Sequence, residues 1–551
     1  MRCTRLAWLA VGALAIGALT TPSALASRSS LALPQLSPAA RTHASSGAQA
    51  SARAHASSRP GSVRAAAQRG PSVTAALASL QRSGAITEAI EHQDYSVYLA
   101  AKRSLGRLGG TRRTELGAVL ANVRAIAAAG QLTASRLPAL FLTLERNRHW
   151  WTSEPLLSSG ERVSFPGSRI VWEYYPGQGL EIQWLATFGE ANGYFLSGHE
   201  NANLRQLLGE VIPLASKRAG GIAWEYLFQF DGGLPPWTSG LSQGTAVQVL
   251  ARAWSRLKEP AYLAAAQQAL GIFETPTPQG VRVPTAAGAL YAEYTYAPRD
   301  RILNGFIQAL VGLYDYASIT KDPLGLALFE AGDAEARIEV PHYDTGAWSL
   351  YDQYGESSLN YHELLAEFLQ HLCERTRKGP PYSAAPPPAP APTPTTPTNP
   401  SPPGGATPPA SGTGGTGTGA GATVARGRAA ATTSTGAGGG AITADAVYCT
   451  TAQRFEADLR TPPAIALLSK ALRGGTRAGV RVSLSKISTV RLSIRQGGRV
   501  VWTNSATVER GRPRLLWITP ARGGTFAVTL VATDLAGNFA SASGTIAVSR
   551  R

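Results

Sequence analysis

In the stretch SQGTAVQVLARAWSRLK the apolar residues are Ala246, Val249, Leu250, Ala253, Trp254 and Leu257. Spacings of three, four and seven put them on one buried stripe of a helix. NYHELLAEFLQHLCER repeats the pattern with Leu364, Leu365, Phe368, Leu369 and Leu372. From Pro71 to about Trp150 the pattern is again helical, with the Ala/Leu-rich runs TAALASLQRSGAITEAI and ELGAVLANVRAIAAAG bounded by glycine. From Trp151 onward, helices are joined by aromatic, Gly-rich loops. The expectation is a mainly α body, an incomplete (α/α) toroid whose loops line a cleft at one end.

After Pro463 the period changes to two. TVRLSIRQGGRVVW alternates Val490, Leu492 and Ile494 with Arg491, Ser493 and Arg495, then turns at Gly497-Gly498. GTFAVTLVATDLAGNFASASGTIAV turns again around Gly537-Asn538. Short strands at this spacing predict an all-β sandwich that resembles immunoglobulin-like or fibronectin type III modules.

A chain of 551 residues exceeds one ordinary domain, and its composition divides it. Residues 1–26 read as a secretory signal: Arg2 and Arg5, an apolar core, and a small-x-small cleavage site at Ala24–Ala26. Residues 27–70 are rich in Ala, Ser and Arg, and are expected to be disordered. Residues 71–377 with 447–461 make the helical body, and 378–446 a Pro/Gly/Thr-rich linker. Residues 462–551 make the β-sandwich, with fourteen Lys and Arg against Glu509 and Asp534 within a chain of net charge +17. The body is net acidic, so the excess positive charge lies outside it. Such a module suits an acidic polymer or an anionic cell surface.

Export fits the cysteines. Cys3 leaves with the signal, and Cys373 and Cys449 remain as a candidate disulfide. That bridge would dock the helix expected in VYCTTAQRFEADLRT back onto the body. The mature protein is expected to be secreted or cell-surface associated, without a stable membrane span or a nucleic-acid partner. A homodimer is compatible with a sequence that is silent on oligomeric state.

Familiar catalytic signatures are missing. HELLA has Ala366 where the second histidine of HExxH would stand, and there is no GxSxG elbow or P-loop. What stands out is a set of aromatic segments: WEYYPGQGLEIQWLATFGEANGYF, LPPWTSGLSQGTAVQVLARAW, YAEYTYAP, LNGFIQALVGLYDYA and YDTGAWSLYDQYGESSLNYHELL. In this order, from about Val171 to Glu374, they resemble the C-terminal catalytic domain of the D-glucuronyl C5-epimerases, here a secreted bacterial-type member.

The resemblance implies a polysaccharide substrate containing hexuronic acid, heparosan-like in the family. The C5 proton, α to the carboxylate, leaves one face and another returns to the opposite face. D-Glucuronate becomes L-iduronate without cleavage or a cofactor. The chemistry needs proton-transfer groups on both sides of the ring and donors for the enediolate-like intermediate. By motif the resemblance puts Tyr351 and Tyr361 in those roles, facing each other across one sugar ring, with Glu293 and Tyr294 beside them. A free tyrosine titrates near ~10, so a tyrosine base needs tuning by its neighbours, for which His362 or an arginine is the candidate. Trp237, Gln243 and Asn304 are candidate cleft residues or helix-end packing. Tyr354 stands where vertebrate-type members carry an arginine, leaving Arg299 and Arg301 as candidate partners for the uronate carboxylate.

Three alternatives remain. A uronate lyase begins with the same deprotonation. A glycoside hydrolase needs two carboxylates, such as Glu293 with Asp344 or Asp352. A non-catalytic acidic-glycan binder would use the tyrosines for stacking.

Overall fold

The computed structural model describes residues 70–377 and 446–551. The signal, nearly all of the 27–70 stretch and nearly all of the 378–446 tract lie outside the described residues.

The body opens with α1 (Val73–Arg82), α2 (Glu88–Arg107), α3 (Gly110–Ala128) and α4 (Leu137–Ser153). Ser72 and Thr87 cap α1 and α2 by accepting from the Ala75 and Ile90 N–H groups. A three-stranded antiparallel sheet follows: β1 (Arg162–Val163), β2 (Trp172–Tyr175) and β3 (Gly179–Ile182), in that order. Strands stand here where the sequence pattern predicts only loops. The hairpin forms because Trp172 and Tyr174 point inward, while Gly177 and Gly179 supply the positive φ of its turn. Buried polar groups bolt it to the helices. Glu115 accepts from the Tyr174 hydroxyl at 3.0 Å and the Gly177 N–H at 2.8 Å. Asn147 accepts from the Leu180 N–H at 2.8 Å.

Next come α5 (Trp184–Ser197), α6 (Asn201–Val211), the hairpin β4 (Ser216–Arg218) and β5 (Gly221–Ala223), α7 (Gly240–Leu257), α8 (Pro260–Ala269) and α9 (Gly271–Glu274). The hairpin β6 (Arg282–Pro284) and β7 (Ala289–Tyr291) leads to α10 (Leu303–Thr320), α11 (Pro323–Glu339), α12 (Leu359–Thr376) and α13 (Ala446–Asp458).

Helices α7 and α10 form the centre and are buried almost all round. They approach closely because a methyl group on Gly312 would fall 2.1 Å from the Gly244 carbonyl oxygen. Asp315 then ties three helices together, meeting Arg252 of α7 at 2.7 Å and Arg375 of α12 at 2.6 Å. A disulfide joins Cys373 of α12 to Cys449 of α13 across 76 residues. No described helix is long and apolar enough to cross a membrane.

A separate β-module occupies the C-terminus. Strands β8 (Ile465–Leu467), β10 (Arg477–Leu484) and β13 (Arg514–Ile518) form one sheet, in the order β13-β10-β8. Strands β9 (Ala471–Arg473), β11 (Ser488–Gln496), β12 (Arg499–Val508), β14 (Gly524–Asp534) and β15 (Phe539–Ser549) form the other, ordered β12-β11-β14-β15-β9. Val490, Leu492 and Ile494 share one core with Val482, Trp517 and Phe526, while Arg491 and Arg495 face solvent.

Candidate active site

Four helices begin at the same place. Ser239 and Leu241 at the start of α7, Ile302 and Asn304 of α10, Asn360 and Tyr361 of α12, and Gln183 and Leu185 of α5 all line one cleft of about 290 Å³. Helix N-termini carry positive partial charge, so their convergence favours an anionic ligand. Glu293, Tyr294, Trp237 and Tyr351 complete that side, and Arg162, Glu173, Tyr175, Tyr226, Phe228 and Phe230 line the rest.

Glu293 is buried and directed by two glycine- and serine-dependent contacts. Its Oε1 accepts from the Ser239 hydroxyl at 3.1 Å, and its Oε2 has no hydrogen-bond partner. Oε2 lies over Gly305, where a methyl group would fall 1.9 Å away, so the glycine of LNGF makes room for the carboxylate. Burial pushes its pKa up to about 7, against a smaller opposing effect of Ser239. A carboxyl poised there exists in both forms at neutral pH, as acid–base work requires.

Tyr351 and Tyr361 both line the cleft, with ring centroids 4.6 Å apart and a tilt of 44°. A sugar ring between two partners needs ~3.5–4 Å on each face, or ~7–8 Å in all. The two phenols therefore stand side by side, and the expectation that they face each other across a ring is corrected. Their titration also runs opposite to the expected tuning. Burial raises Tyr361, as does Glu293, with partial relief from a Tyr351 hydrogen bond. Burial raises Tyr351 well above the ordinary phenol value, followed by Tyr361 and Glu293, with relief from Tyr294. Tyr294 is raised by burial in the same way. These are neutral hydroxyl groups at pH 7, suited to donate protons.

His362 is not at the cleft. Its buried ring stacks on Trp348 at 3.7 Å, Nδ1 accepts from the Ser349 N–H at 3.1 Å, and Nε2 meets the Phe455 carbonyl at 2.9 Å. Gln243 is also behind the site, where it holds the Trp224 N–H and carbonyl at 3.2 and 2.9 Å. Arg301 is engaged by Glu335 and Glu339, both at 2.8 Å, and neither it nor Arg299 lines the cleft. Tyr354 is 70 % exposed on a loop tip and makes no part of the lining. Trp237 and Asn304 do line it. Trp237 stacks on Tyr226 at 4.3 Å, and Asn304 Oδ1 is without a hydrogen-bond partner.

The opposite wall is built from residues that no sequence motif marks as a site. Among the described cleft-lining residues Arg162 is the one cation, and its Nε donates to Glu173 at 2.8 Å. Gln183 donates to the Tyr175 hydroxyl at 2.6 Å and accepts from the Tyr226 hydroxyl at 3.1 Å. Tyr175 and Gln183 lie in a quoted segment, but nothing local to Arg162 marks it. Its place follows from the strand register Arg162↔Glu173.

Residues 219–383 match the family described as D-glucuronyl C5-epimerase C-terminus. The D-glucuronyl C5-epimerase of Caenorhabditis elegans is 33% identical over 133 residues, 22% of each chain. An uncharacterized protein of Methanocaldococcus jannaschii is 27% identical over 163 residues, 28% of this chain and 53% of that one. The chain thus spans about a fifth of the nematode relative and about half of the archaeal one. Glu293, Tyr351 and Tyr361 fall inside the matched region, and Arg162 outside it. Over residues 219–383, this chain is thus similar to the C-terminal domain of the D-glucuronyl C5-epimerases.

Proposed function

We propose that the cleft epimerises hexuronic acid residues of an acidic polysaccharide at C5, in the D-glucuronate to L-iduronate sense. The observation that carries this reading is Glu293, poised near neutrality with a free oxygen, in the same cleft as the neutral pair Tyr351 and Tyr361. Ionised Glu293 takes the C5 proton from one face. Electrons from the C–H bond move into the carboxylate as an enediolate. The tyrosine pair returns a proton to C5 from the other face. The cycle leaves Glu293 protonated and a tyrosinate, which exchange protons with solvent to reset. The helix N-termini and Arg162 stabilise the charge gathering on the substrate carboxylate.

The same reading takes the body as an incomplete (α/α) toroid open at the cleft, and the β-module as an immunoglobulin-like sandwich. It places the protein at or outside the cell surface, with the basic module holding acidic polymer.

Two predictions arise here. Arg162→Met keeps the aliphatic stem but removes a charged donor, so kcat/KM should fall about 10- to 100-fold, with a loss in kcat as well as a rise in KM. Kinetics on a uronate oligosaccharide check this. Gly305→Ala should push the Glu293 carboxylate aside and lower kcat about 10- to 100-fold, because small displacements of a reacting group are costly. A thermal melt on the same sample separates this from unfolding.

The hydrolase alternative loses the pairs of Glu293 with Asp344 or Asp352, and the second carboxylate of the cleft is Glu173, which accepts from Arg162 at 2.8 Å. Asp344 is bound to Arg454, and Asp352 Oδ1 accepts the Tyr354 and Gly355 N–H groups. Neither lines the cleft. Incubation with heparosan and other polyuronates decides among the rest. An epimerase yields both C5 configurations at constant chain length, a lyase unsaturated sugars absorbing in the ultraviolet, and a hydrolase new reducing ends.

A further inference from the structure

The loop that carries Tyr351, from Tyr343 to Ser358, has two sides. Bridges between Asp344 and Ser349 and between Leu350 and Glu356 fold it on itself, and the Tyr351 N–H donates to the Gly355 carbonyl at 2.9 Å. One side presents Tyr351 to the cleft. The other is held by the C-terminal β-module. Glu356 accepts from the Ile487 N–H at 3.4 Å and the Arg510 N–H at 3.1 Å. Trp348, also on the loop and fully buried, has the Lys486 ammonium 5.2 Å from its ring centroid.

Lys486 is itself 1% exposed. Its Nζ lies 2.8 Å from Asp534 Oδ2 and donates to the carbonyls of Asp458 and Thr461. One ammonium thus gathers the module, the end of α13 and the Tyr351 loop. Asn538 adds a hydrogen bond to the Leu459 carbonyl at 2.8 Å. A charge is buried only where paired and hydrogen-bonded, so this junction is a built one. A binding module on a loose tether needs none of it.

We infer that the β-module is a positioning element of the active site, with Glu356 and Lys486 holding the Tyr343–Ser358 loop so that Tyr351 stays against Tyr361. The rate consequence rests on the C5-exchange reading of the cleft. The clamp on the loop does not.

The test uses the full chain and a uronate hexasaccharide, too short to depend on a distant polymer-binding surface. Glu356→Ala should lower kcat for C5 exchange about 10- to 100-fold with little change in KM. It should also speed amide hydrogen exchange across residues 349–357 while α7 and α10 stay protected. Glu356→Gln keeps one of the two acceptor oxygens, so it should recover part of the rate and part of the amide protection. Arg491→Glu, on the solvent face of β11, should leave kcat unchanged. If Glu356→Ala keeps both amide protection and kcat within about twofold of wild type, the inference is overturned. Should the wild-type protein show no C5 exchange on any uronate, the proposed reaction fails. The amide-exchange result alone then sustains or overturns the clamp.

Discussion

Tyr361→Phe is expected to reduce C5 exchange by about 10²- to 10⁴-fold, the contribution of a positioned proton donor. The ring still fills its place against Tyr351, so the melting temperature should change little. Because burial and Glu293 keep the phenol neutral, the loss should appear in kcat and persist across pH 6 to 8. The pairing with Tyr351, at 4.6 Å between ring centroids, adds a second expectation. If the two hydroxyls pass one proton as a unit, the Tyr351→Phe, Tyr361→Phe double variant should be little worse than the worse single one. Independent, multiplying losses would mean separate roles.

Glu293→Gln should have an effect of similar size and a distinct signature. In the wild-type protein, kcat/KM should decline as pH falls through about 7, because protonation of Glu293 removes the base. The variant should lose that limb along with the activity. Stability should move the other way. A carboxyl whose folded pKa is raised from 4.5 to about 7 binds its proton more tightly when folded than when unfolded. Wild-type stability therefore falls as pH rises from 4.5 to 7, by about 3 kcal/mol in total, and then levels off. At pH 8 the glutamine variant escapes that cost and should melt higher than wild type. At pH 4 the advantage should vanish. Lower activity with higher stability is what a buried catalytic carboxylate predicts, and a structural ion-pair partner would give the reverse.

Much of this architecture is legible in the sequence because its periods are clean. The stripe on α7 and the alternation of Val490, Leu492 and Ile494 each follow from a local pattern that packing then obeys. Glu293, Asn304, Tyr351 and Tyr361 reach one cleft because each stands in or beside a short motif at the start of a helix or in a tight loop. The failures have one cause, which is that neighbours in sequence are not neighbours in the site. His362 follows Tyr361 directly, but successive helical residues point ~100° apart. Tyr361 therefore faces the cleft and His362 faces Trp348 and α13. Gln243 lies one turn beyond Ser239 and meets Trp224 instead of the cavity. Arg301 comes just before LNGF but finds two carboxylates on α11. Conversely, Arg162 arrives through strand pairing, which no local pattern announces.

The most direct measurement places the wild-type protein with a D-glucuronate polymer in heavy water and follows C5 by NMR. Deuterium should enter at C5, L-iduronate signals should grow beside those of D-glucuronate, and the chain length should stay fixed. Retention of the C5 hydrogen over many hours, or its loss together with the appearance of a C4–C5 double bond, would contradict two-sided proton transfer in this cleft.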